Sequence, residues 1–383
     1  MRRGPEKTRV FFMKAAMDKL KKMREEVRRI DREIIRLVGK RLELTRDIGS
    51  IKKAAGLPLL NYGVEKAVIE NARAVAKDLN LPADFVKSVM QLLINESRTQ
   101  QERLHYSAYS GEKETILIVG GAGEMGRWLA TFFEIQGHEV LIYDIVPGGN
   151  EFTAVSSLEE GLKRASCVVI SVSLDVVPET IDRVAALNFK GLIFDIASIK
   201  GHLVKSIHNA RQRNALITSI HPMFGPNVIT LSDKVIGFCD CGSTEALNRA
   251  KAFFKDTAVR EVDLDLYTHD KAISYVLGLS HIINIIYMKI LSDSGFHYSE
   301  LKKIASTTFL SQMITSSSVI NENPELYYLI QKYNPFKEEI FDKMKHAMTS
   351  VIDYVLNDKK EEFVQSMQLS REWLNQEKSS GKE

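Results

Sequence analysis

The sequence TILIVGGAGEMGRWLATFFEIQGHEVLIYD, residues 115–144, decides the fold of this chain. An apolar, β-branched run at 116–119 leads into a glycine-rich turn at 120–126. A helical pattern follows, and a second apolar run ends on Asp144. Strand, glycine turn, helix, strand and terminal acid form the first half of a doubly wound α/β fold that binds a dinucleotide. Alternatively, such a glycine-rich turn only allows the strand and the helix to pack closely and binds no ligand.

Each glycine of the turn has a steric role. We expect Gly121 to permit the turn, Gly123 to let the backbone approach a pyrophosphate, and Gly126 to let the helix pack against the strand. The free N–H groups and the dipole of the helix start then hold the phosphates. The predicted cofactor contacts in this turn are Gly121, Ala122, Gly123, Glu124, Met125 and Gly126.

Asp144 indicates which dinucleotide binds. It lies about 20 residues after the turn, where a carboxylate accepts hydrogen bonds from a ribose diol. The same carboxylate repels a 2′-phosphate, and the following Ile145 and Val146 provide no cation. The sequence therefore favours NAD over NADP.

Composition narrows the class of protein. A chain of 383 residues with a net charge of +3 is long enough for two or three domains, and its mixed charges imply neither nucleic acid nor a membrane surface as partner. Cys167, Cys239 and Cys241 lack metal-ligand spacing, so we expect no metal and no disulfide framework. We expect Cys239 and Cys241 to be core and surface residues of one strand. The N-terminus lacks an apolar signal core, which predicts a cytoplasmic protein.

Periodicity divides the chain into five segments. The predicted segments are an N-terminal extension at 1–16, which we expect to be loose, an all-α three-helix domain at 17–104, a linker at 105–114, an α/β Rossmann-type domain at 115–265, and an all-α C-terminal domain at 266–378. Steps of three and four between apolar residues predict one long helix over about 17–53. Because such a helix needs a partner to cover it, we expect a homodimer.

Two stretches of the first domain carry a resemblance. MREEVRRIDREIIRLVGKRLELTRDIGSIK (23–52) and NESRTQQ (95–101) are similar to the first and third helices of all-helical chorismate mutases. The resemblance implies that chorismate is the substrate. It also implies that the two carboxylates of chorismate are bound by Arg41 of one subunit and by Arg24 of the partner subunit.

The same resemblance implies the rest of this site. Lys52 and Gln101 contact the ether oxygen of the breaking bond, Glu65 lies near the ring hydroxyl, and Ser97 lies nearby. The rearrangement is unimolecular, so holding a compact conformer and placing donors at the ether oxygen are sufficient. Arg24 and Arg41 lie about 25 Å apart along one helix, which favours a site shared by two chains.

The second helix departs from the family pattern. The family has an acidic residue and an arginine near its start, where this chain has Asn61 and Val64. The departure puts the catalytic strength in question but not the fold. A weakened mutase, or a domain that keeps only the fold for dimerisation, remains an alternative.

The α/β rhythm continues after Asp144. Apolar runs at 167–172 and 192–195 alternate with helical patterns at 157–165 and 177–187, which predicts a parallel sheet. Ligands of such sheets gather at the carboxyl ends of the strands. Ser171 lies at one of these ends, and we expect it to contact the cofactor.

The hexapeptide HPMFGP at 221–226, after DIASIK at 195–200, resembles the prephenate dehydrogenase family over about 115–375. The resemblance implies that His221 accepts or orients the proton of the ring hydroxyl of prephenate while a hydride leaves for the nicotinamide. It implies that Ser198 orients that hydroxyl and that Lys200 lies near a carboxylate or the cofactor. His281 falls where the family has a second substrate-side histidine, and a packing role is the alternative.

The C-terminal segment begins with an apolar stretch at 273–291, which predicts a buried helix at a dimer interface. Ser318 occupies the position where the family has an arginine for the ring carboxylate, six residues before Pro324. A hydroxyl cannot replace a bidentate cation. Either the substrate preference or the efficiency has shifted, or another cation replaces the arginine; the candidates are Lys200, Lys302, Lys303 and Lys332.

Together the two resemblances imply a bifunctional enzyme of tyrosine biosynthesis. It rearranges chorismate to prephenate and then oxidises and decarboxylates prephenate with NAD to 4-hydroxyphenylpyruvate. One alternative is a mutase joined to an NAD-dependent dehydrogenase of another substrate, such as arogenate or a β-hydroxyacid. The other is a non-enzymatic NAD-sensing regulatory module.

Overall fold

The first domain consists of three helices in the computed structural model, which describes residues 5–55, 62–106, 109–146 and 152–379. They are α1 (Pro5–Ala54), α2 (Tyr62–Asp78) and α3 (Ala83–Tyr106). The all-α prediction is therefore confirmed. The expectation of a loose extension at 1–16 is wrong from residue 5 onward, because these residues continue α1. A helix of 50 residues is about 75 Å long.

Between residues 23 and 34 the apolar face of α1 is not covered by α2 and α3. Met23, Val27, Ile30 and Ile34 recur at helical spacing, and each side chain is about half exposed in the single chain. Exposed apolar stripes of this length are characteristic of association surfaces. The stripe therefore supports the expectation that a second chain covers α1.

The central domain is an eight-stranded sheet with the order β3-β2-β1-β4-β5-β6-β7-β8. The strands are β1 (Thr115–Val119), β2 (Glu139–Tyr143), β3 (Thr153–Ala154), β4 (Cys167–Ile170), β5 (Leu192–Asp195), β6 (Leu216–Pro222), β7 (Val235–Asp240) and β8 (Arg260–Asp265). Strands β1 to β6 are parallel, as predicted, and β7 and β8 run in the opposite direction.

Helices cover both faces of this sheet. They are α4 (Glu124–Ile135), α5 (Leu158–Arg164), α6 (Val177–Ala186), α7 (Val204–Gln212) and α8 (Thr244–Ala252). Helices α4 and α8 pack on one face, and α5, α6 and α7 pack on the other. Cys239 and Cys241 are both buried, so the expectation that one lies on the surface is wrong. Cys241 lies beyond the last residue of β7, where strand alternation no longer applies.

The C-terminal domain is helical. It begins with α9 (Leu266–Ile273), a π-helical segment (Ser274–Leu279) and α10 (Ser280–Ser292). The helices α11 (Tyr298–Lys303), α12 (Thr307–Ile320), α13 (Pro324–Tyr333), α14 (Lys337–Leu356) and α15 (Lys360–Ser379) follow. By length and composition, Leu266–Ser292 could cross a membrane. It is only partly buried in the single chain, and it forms an open apolar groove with α14.

A polar contact joins the first two domains. Arg98 of α3, a nearly buried side chain, forms an ion pair with Asp233 in the loop before β7. Thr99 and Thr230 lie beside this pair, with their hydroxyl oxygens 3.5 Å apart. The loop 227–234 follows the HPMFGP segment directly, so α3 contacts the continuation of the predicted catalytic strand.

His138 should make stability depend on pH. It is buried among the rings of Tyr109, Phe133 and Phe253, and its Nδ1 accepts a hydrogen bond from the Glu114 N–H. Burial lowers the pKa of His138 from 6.5 to about 4. As the pH falls from 6.5 towards 4, the unfolded chain takes up this proton first, and the folded state is destabilised.

We therefore expect His138→Gln to weaken this pH dependence. Between pH 7 and pH 5 the native protein should lose about 1–2 kcal/mol more stability than the variant, because glutamine accepts the same hydrogen bond but does not titrate. Thermal unfolding midpoints at the two pH values measure the difference. Equal shifts in both proteins would show that the ring does not titrate in this range.

Candidate active sites

The first site forms where α1 packs against α3. Arg41 Nη1 donates hydrogen bonds to the Leu93 carbonyl (2.8 Å) and to Ser97 Oγ (2.6 Å). Gln101 Nε2 donates to the Thr45 carbonyl at 2.7 Å. The structure thus brings together three of the predicted mutase residues across two helices.

A glycine allows this close approach of the two helices. Gly49 of α1 is buried, and a Cβ at this position would lie 2.8 Å from Cγ of Gln101. Gln101 therefore reaches α1 only because position 49 lacks a side chain.

The other predicted mutase residues are distributed along the domain. Lys52 is half-buried near the end of α1, whereas Arg24 is exposed near its middle. Arg24 is therefore separated from the Arg41 site of its own chain, as the spacing predicted. Glu65 belongs to α2, but its side chain lies outside the described residues, and Asn61 is also outside them. Val64 is exposed on α2.

The glycine turn has a different division of roles from the one predicted. Gly120, with φ of +87°, makes the left-handed turn, and a Cβ there would collide with the Ser171 carbonyl. The prediction that Gly121 permits the turn is therefore wrong. A Cβ on Gly121 would lie 2.7 Å from Ile142, so its constraint is the contact with β2. At Gly126 a Cβ would collide with the Gly120 carbonyl, so the predicted close approach is present.

The surroundings of the turn fit a dinucleotide. Helix α4 has Gly123 as its N-cap, which provides no side chain for the first N–H groups. Asp144 lies beside the turn, where Oδ2 accepts a hydrogen bond from the Ala122 N–H at 2.9 Å. Ser171 follows β4 at the same edge of the sheet. Of the described cofactor candidates, Glu124 and Met125 form the first residues of α4.

His221 lies near the end of β6 and is 3% exposed. Its Nδ1 is 2.9 Å from His269 Nε2, and His269 Nδ1 is 2.8 Å from Asp270 Oδ1. Burial, with contributions from Lys200 and His269, lowers the pKa of His221 well below its usual value, so the imidazole is neutral at neutral pH. A neutral imidazole can accept a proton.

Lys200 is buried in the same region and has no exposed surface. Its Nζ donates hydrogen bonds to Asp195 Oδ1 (2.9 Å) and to the Ile220 carbonyl (2.7 Å). Its charge is thus paired inside the protein, and its role near a substrate carboxylate or the cofactor stays a prediction. Ser198, two residues earlier, is half-buried after β5.

The sequence prediction missed His269 and Asp270. Both are buried in α9, at the start of the C-terminal domain. The only local signal is an adjacent His–Asp pair that follows the predicted domain boundary at 265. Their proximity to His221 depends on how α9 packs against the sheet.

His281 is buried in α10 and stacks on Tyr327, with ring centroids 4.1 Å apart. Burial lowers the pKa of His281 to about 4. Within the described residues its Nδ1 has no hydrogen-bond partner. The stacking agrees with a packing role, and the unpaired nitrogen agrees with a ligand contact, so both interpretations of His281 remain.

Ser318 provides no charge for an anion. It is exposed, and its Oγ donates to the Thr315 carbonyl of its own helix at 2.8 Å. Of the proposed substitutes, Lys302 and Lys303 are exposed on α11. Lys332 lies over the ring of Tyr333, and that ring in turn stacks on His202.

Three family models match this chain. Chorismate mutase type II matches residues 23–102, the nucleotide-binding domain of prephenate dehydrogenase matches residues 146–262, and its dimerization domain matches residues 266–369. The second match begins after the glycine turn. The assignment of the turn therefore rests on its own geometry.

Similar proteins span most of the chain. A T-protein of Haemophilus influenzae is 24% identical over 359 residues, which are 94% of this chain and 93% of that protein. A probable arogenate/prephenate dehydrogenase of Methanocaldococcus jannaschii is 28% identical and covers 70% of this chain and 62% of that protein.

Solved structures show the same dehydrogenase fold. Prephenate dehydrogenase from A. aeolicus, in complex with hydroxyphenyl propionate and NAD⁺, has a TM-score of 0.56 and 18% identity over 68% of this chain and 97% of that one. Synechocystis arogenate dehydrogenase has a TM-score of 0.54 and 17% identity over 68% of this chain and 99% of that one.

The buried pair of Lys200 and Asp195 gives a stability prediction. We expect Lys200→Met to destabilise the protein by about 3–5 kcal/mol, because Asp195 is left as a buried unpaired charge. The double variant Lys200→Met with Asp195→Asn should recover much of this loss, since no unpaired charge remains. Thermal unfolding measures both, with Lys205→Met on the exposed face of α7 as the control. If Lys200→Met matches the control, the pair does not stabilise the fold.

Proposed function

We propose that this chain catalyses two consecutive reactions, because it belongs to the family that joins type II chorismate mutase to the two domains of prephenate dehydrogenase. The first rearranges chorismate to prephenate. The second oxidises and decarboxylates prephenate with NAD to 4-hydroxyphenylpyruvate. The observation that carries the second activity is the buried, neutral His221 on the same sheet as the glycine turn.

The mutase reaction needs only binding and positioning. Arg41, held by Ser97 and the Leu93 carbonyl, places a cation beside the helix interface for a substrate carboxylate. Lys52 and Gln101 supply a cation and an amide donor for the ether oxygen. Negative charge develops on this oxygen as the C–O bond breaks, and fixed donors stabilise it there.

The dehydrogenase reaction uses the edge of the sheet. NAD, when bound, supplies the hydride acceptor, and the glycine turn with the start of α4 holds its phosphates. His221 Nε2 accepts the proton of the substrate hydroxyl, and Ser198 orients that hydroxyl. Loss of the hydride and the proton turns the alcohol into a ketone. The ring carboxylate then leaves as CO₂, and its bonding electrons move through the ring to the ketone oxygen. This oxygen takes up a proton, and the ring becomes aromatic.

One group of the dehydrogenase substrate, its ring carboxylate, lacks the arginine that the family provides for it. Ser318 lacks the cation that the family places there, and Lys332 beside Tyr333, the basic residue of α13, is a candidate replacement. We propose prephenate as substrate because the mutase on the same chain produces it. Arogenate, which carries the same ring carboxylate, is the second candidate, since this chain is similar to an arogenate/prephenate dehydrogenase.

We also propose that the protein is a cytoplasmic homodimer. Two exposed apolar surfaces support association, the stripe on α1 and the groove between α10 and α14. The matched dimerization domain includes the second surface. A second copy along α1 would also bring Arg24 of the partner subunit towards the Arg41 site.

His221→Asn should separate the two activities. We expect NADH formation from prephenate to fall by about 10²–10⁴-fold, because the proton acceptor is lost. Chorismate consumption and NAD affinity should match the wild type. NADH absorbance, chorismate absorbance and titration calorimetry measure the three properties, with His208→Gln on the surface of α7 as the control. Normal oxidation by the variant would contradict the role of His221. If the wild-type protein forms no NADH from prephenate, the assignment of prephenate as the substrate is wrong.

The shared mutase site can be tested by mixing two inactive chains. We expect Arg24→Ala and Arg41→Ala to abolish mutase activity separately. Refolded together in equal amounts, they should restore about a quarter of the wild-type sites, because each mixed dimer has one intact site. No recovery in a mixture that forms mixed dimers would exclude a site built from Arg24 and Arg41 of different chains.

A further inference from the structure

His269 and Asp270 form a hydrogen-bonded chain that ends on His221. The two imidazoles meet through His221 Nδ1 and His269 Nε2 at 2.9 Å, and His269 Nδ1 lies 2.8 Å from Asp270 Oδ1. All three side chains are buried. This hydrogen-bonded chain connects the sheet to the C-terminal domain, since His221 belongs to β6 and the other two residues belong to α9.

Backbone donors fix the carboxylate at the far end of this chain. Asp270 Oδ1 accepts a hydrogen bond from the Lys200 N–H at 2.9 Å, and Oδ2 accepts one from the Gly201 N–H at 2.6 Å. An ionised carboxylate accepts hydrogen bonds and donates none. The bond to His269 must therefore be donated by His269 Nδ1.

The direction of that bond determines every proton position that follows. Burial lowers the pKa of both His269 and His221, so each neutral ring carries one N–H. With the proton on Nδ1, His269 Nε2 can only accept. His221 must then donate from Nδ1, which leaves a lone pair on its Nε2. This lone pair is the one that can accept the proton of a substrate hydroxyl.

We propose that His269 and Asp270 are positioning residues that hold His221 in the one tautomer able to accept the substrate proton. This inference rests on the proposed dehydrogenase function. Once Nε2 is protonated, the Nδ1–H of His221 still donates to His269, which is anchored on the Asp270 carboxylate. The new positive charge is thus stabilised without movement of either ring.

Gly237 of β7 lies beside the two rings. It pairs with His221 across the antiparallel β6–β7 contact. A Cβ on Gly237 would lie 3.8 Å from both the Cβ of His221 and Cδ2 of His269. These are ordinary van der Waals distances, so a small side chain would also fit at this position.

Asp270→Asn tests the tautomer directly. An asparagine that presents its oxygen to the N–H groups of Lys200 and Gly201 turns an amide donor towards His269 Nδ1. The direction of both hydrogen bonds between the side chains then reverses. Nε2 of His221 carries a proton and cannot accept that of the substrate. We expect kcat for NADH formation from prephenate to fall by about 100-fold or more, with KM for prephenate and for NAD within about threefold. A kcat within about threefold of the wild type would overturn the proposal.

Two substitutions of His269 provide a second test if Asp270→Asn does not fold. His269→Gln keeps an oxygen to accept from His221 and an amide to donate to Asp270, whereas His269→Leu breaks the chain. We expect the leucine variant to lose about 100-fold in kcat and the glutamine variant to be at least about tenfold better than it. A leucine variant with normal kcat, or a glutamine variant no better than leucine, would overturn the proposal.

His221→Asn, measured in parallel, distinguishes a failure of this inference from a failure of the proposed function. If His221→Asn is inactive while Asp270→Asn and His269→Leu are normal, only the positioning role is wrong. If His221→Asn oxidises prephenate normally, the proposed role of His221 itself is wrong. Mutase activity and the thermal midpoint report folding for each variant, and His208→Gln is the surface control.

Discussion

The ion pair between Lys200 and Asp195 holds the dehydrogenase site together. Its ammonium joins the end of β5 to the carbonyl of Ile220, the residue before His221. The backbone N–H of the same lysine binds Asp270, which fixes the first helix of the C-terminal domain. A buried charge keeps its place only if its partner and its remaining hydrogen bonds are all satisfied. One residue, through its side chain and its backbone N–H, therefore sets the position of the proton acceptor relative to both domains that enclose it.

The local parts of this architecture could be predicted from sequence. The glycine turn, the alternation of strands and helices in β1 to β6, and the three helices of the first domain all follow from periodicity and from residues close together in the chain. Resemblance added the predicted roles of Arg41, Gln101 and His221. The structure brings Arg41, Ser97 and Gln101 together, although their roles remain predictions.

The parts that sequence did not predict depend on distant contacts. Lys200 and Asp270 are 70 positions apart, and nothing near either residue indicates that they meet. The sequence also gives no sign that this lysine is buried in an ion pair with Asp195. The reversal of β7 and β8 also has no local signal, because a buried strand has the same composition in either direction.

The contact between Arg98 and Asp233 makes the two enzymes difficult to separate. Helix α3 carries Ser97 and Gln101 on the side that faces α1, and Arg98 and Thr99 on the side that faces the dehydrogenase loop. Removing the mutase domain would leave the Asp233 carboxylate without its arginine, and removing the dehydrogenase would expose a guanidinium that is now nearly buried. The two enzymes are thus joined by a shared interface as well as by one polypeptide. Each domain alone would expose polar groups that are paired in the whole protein.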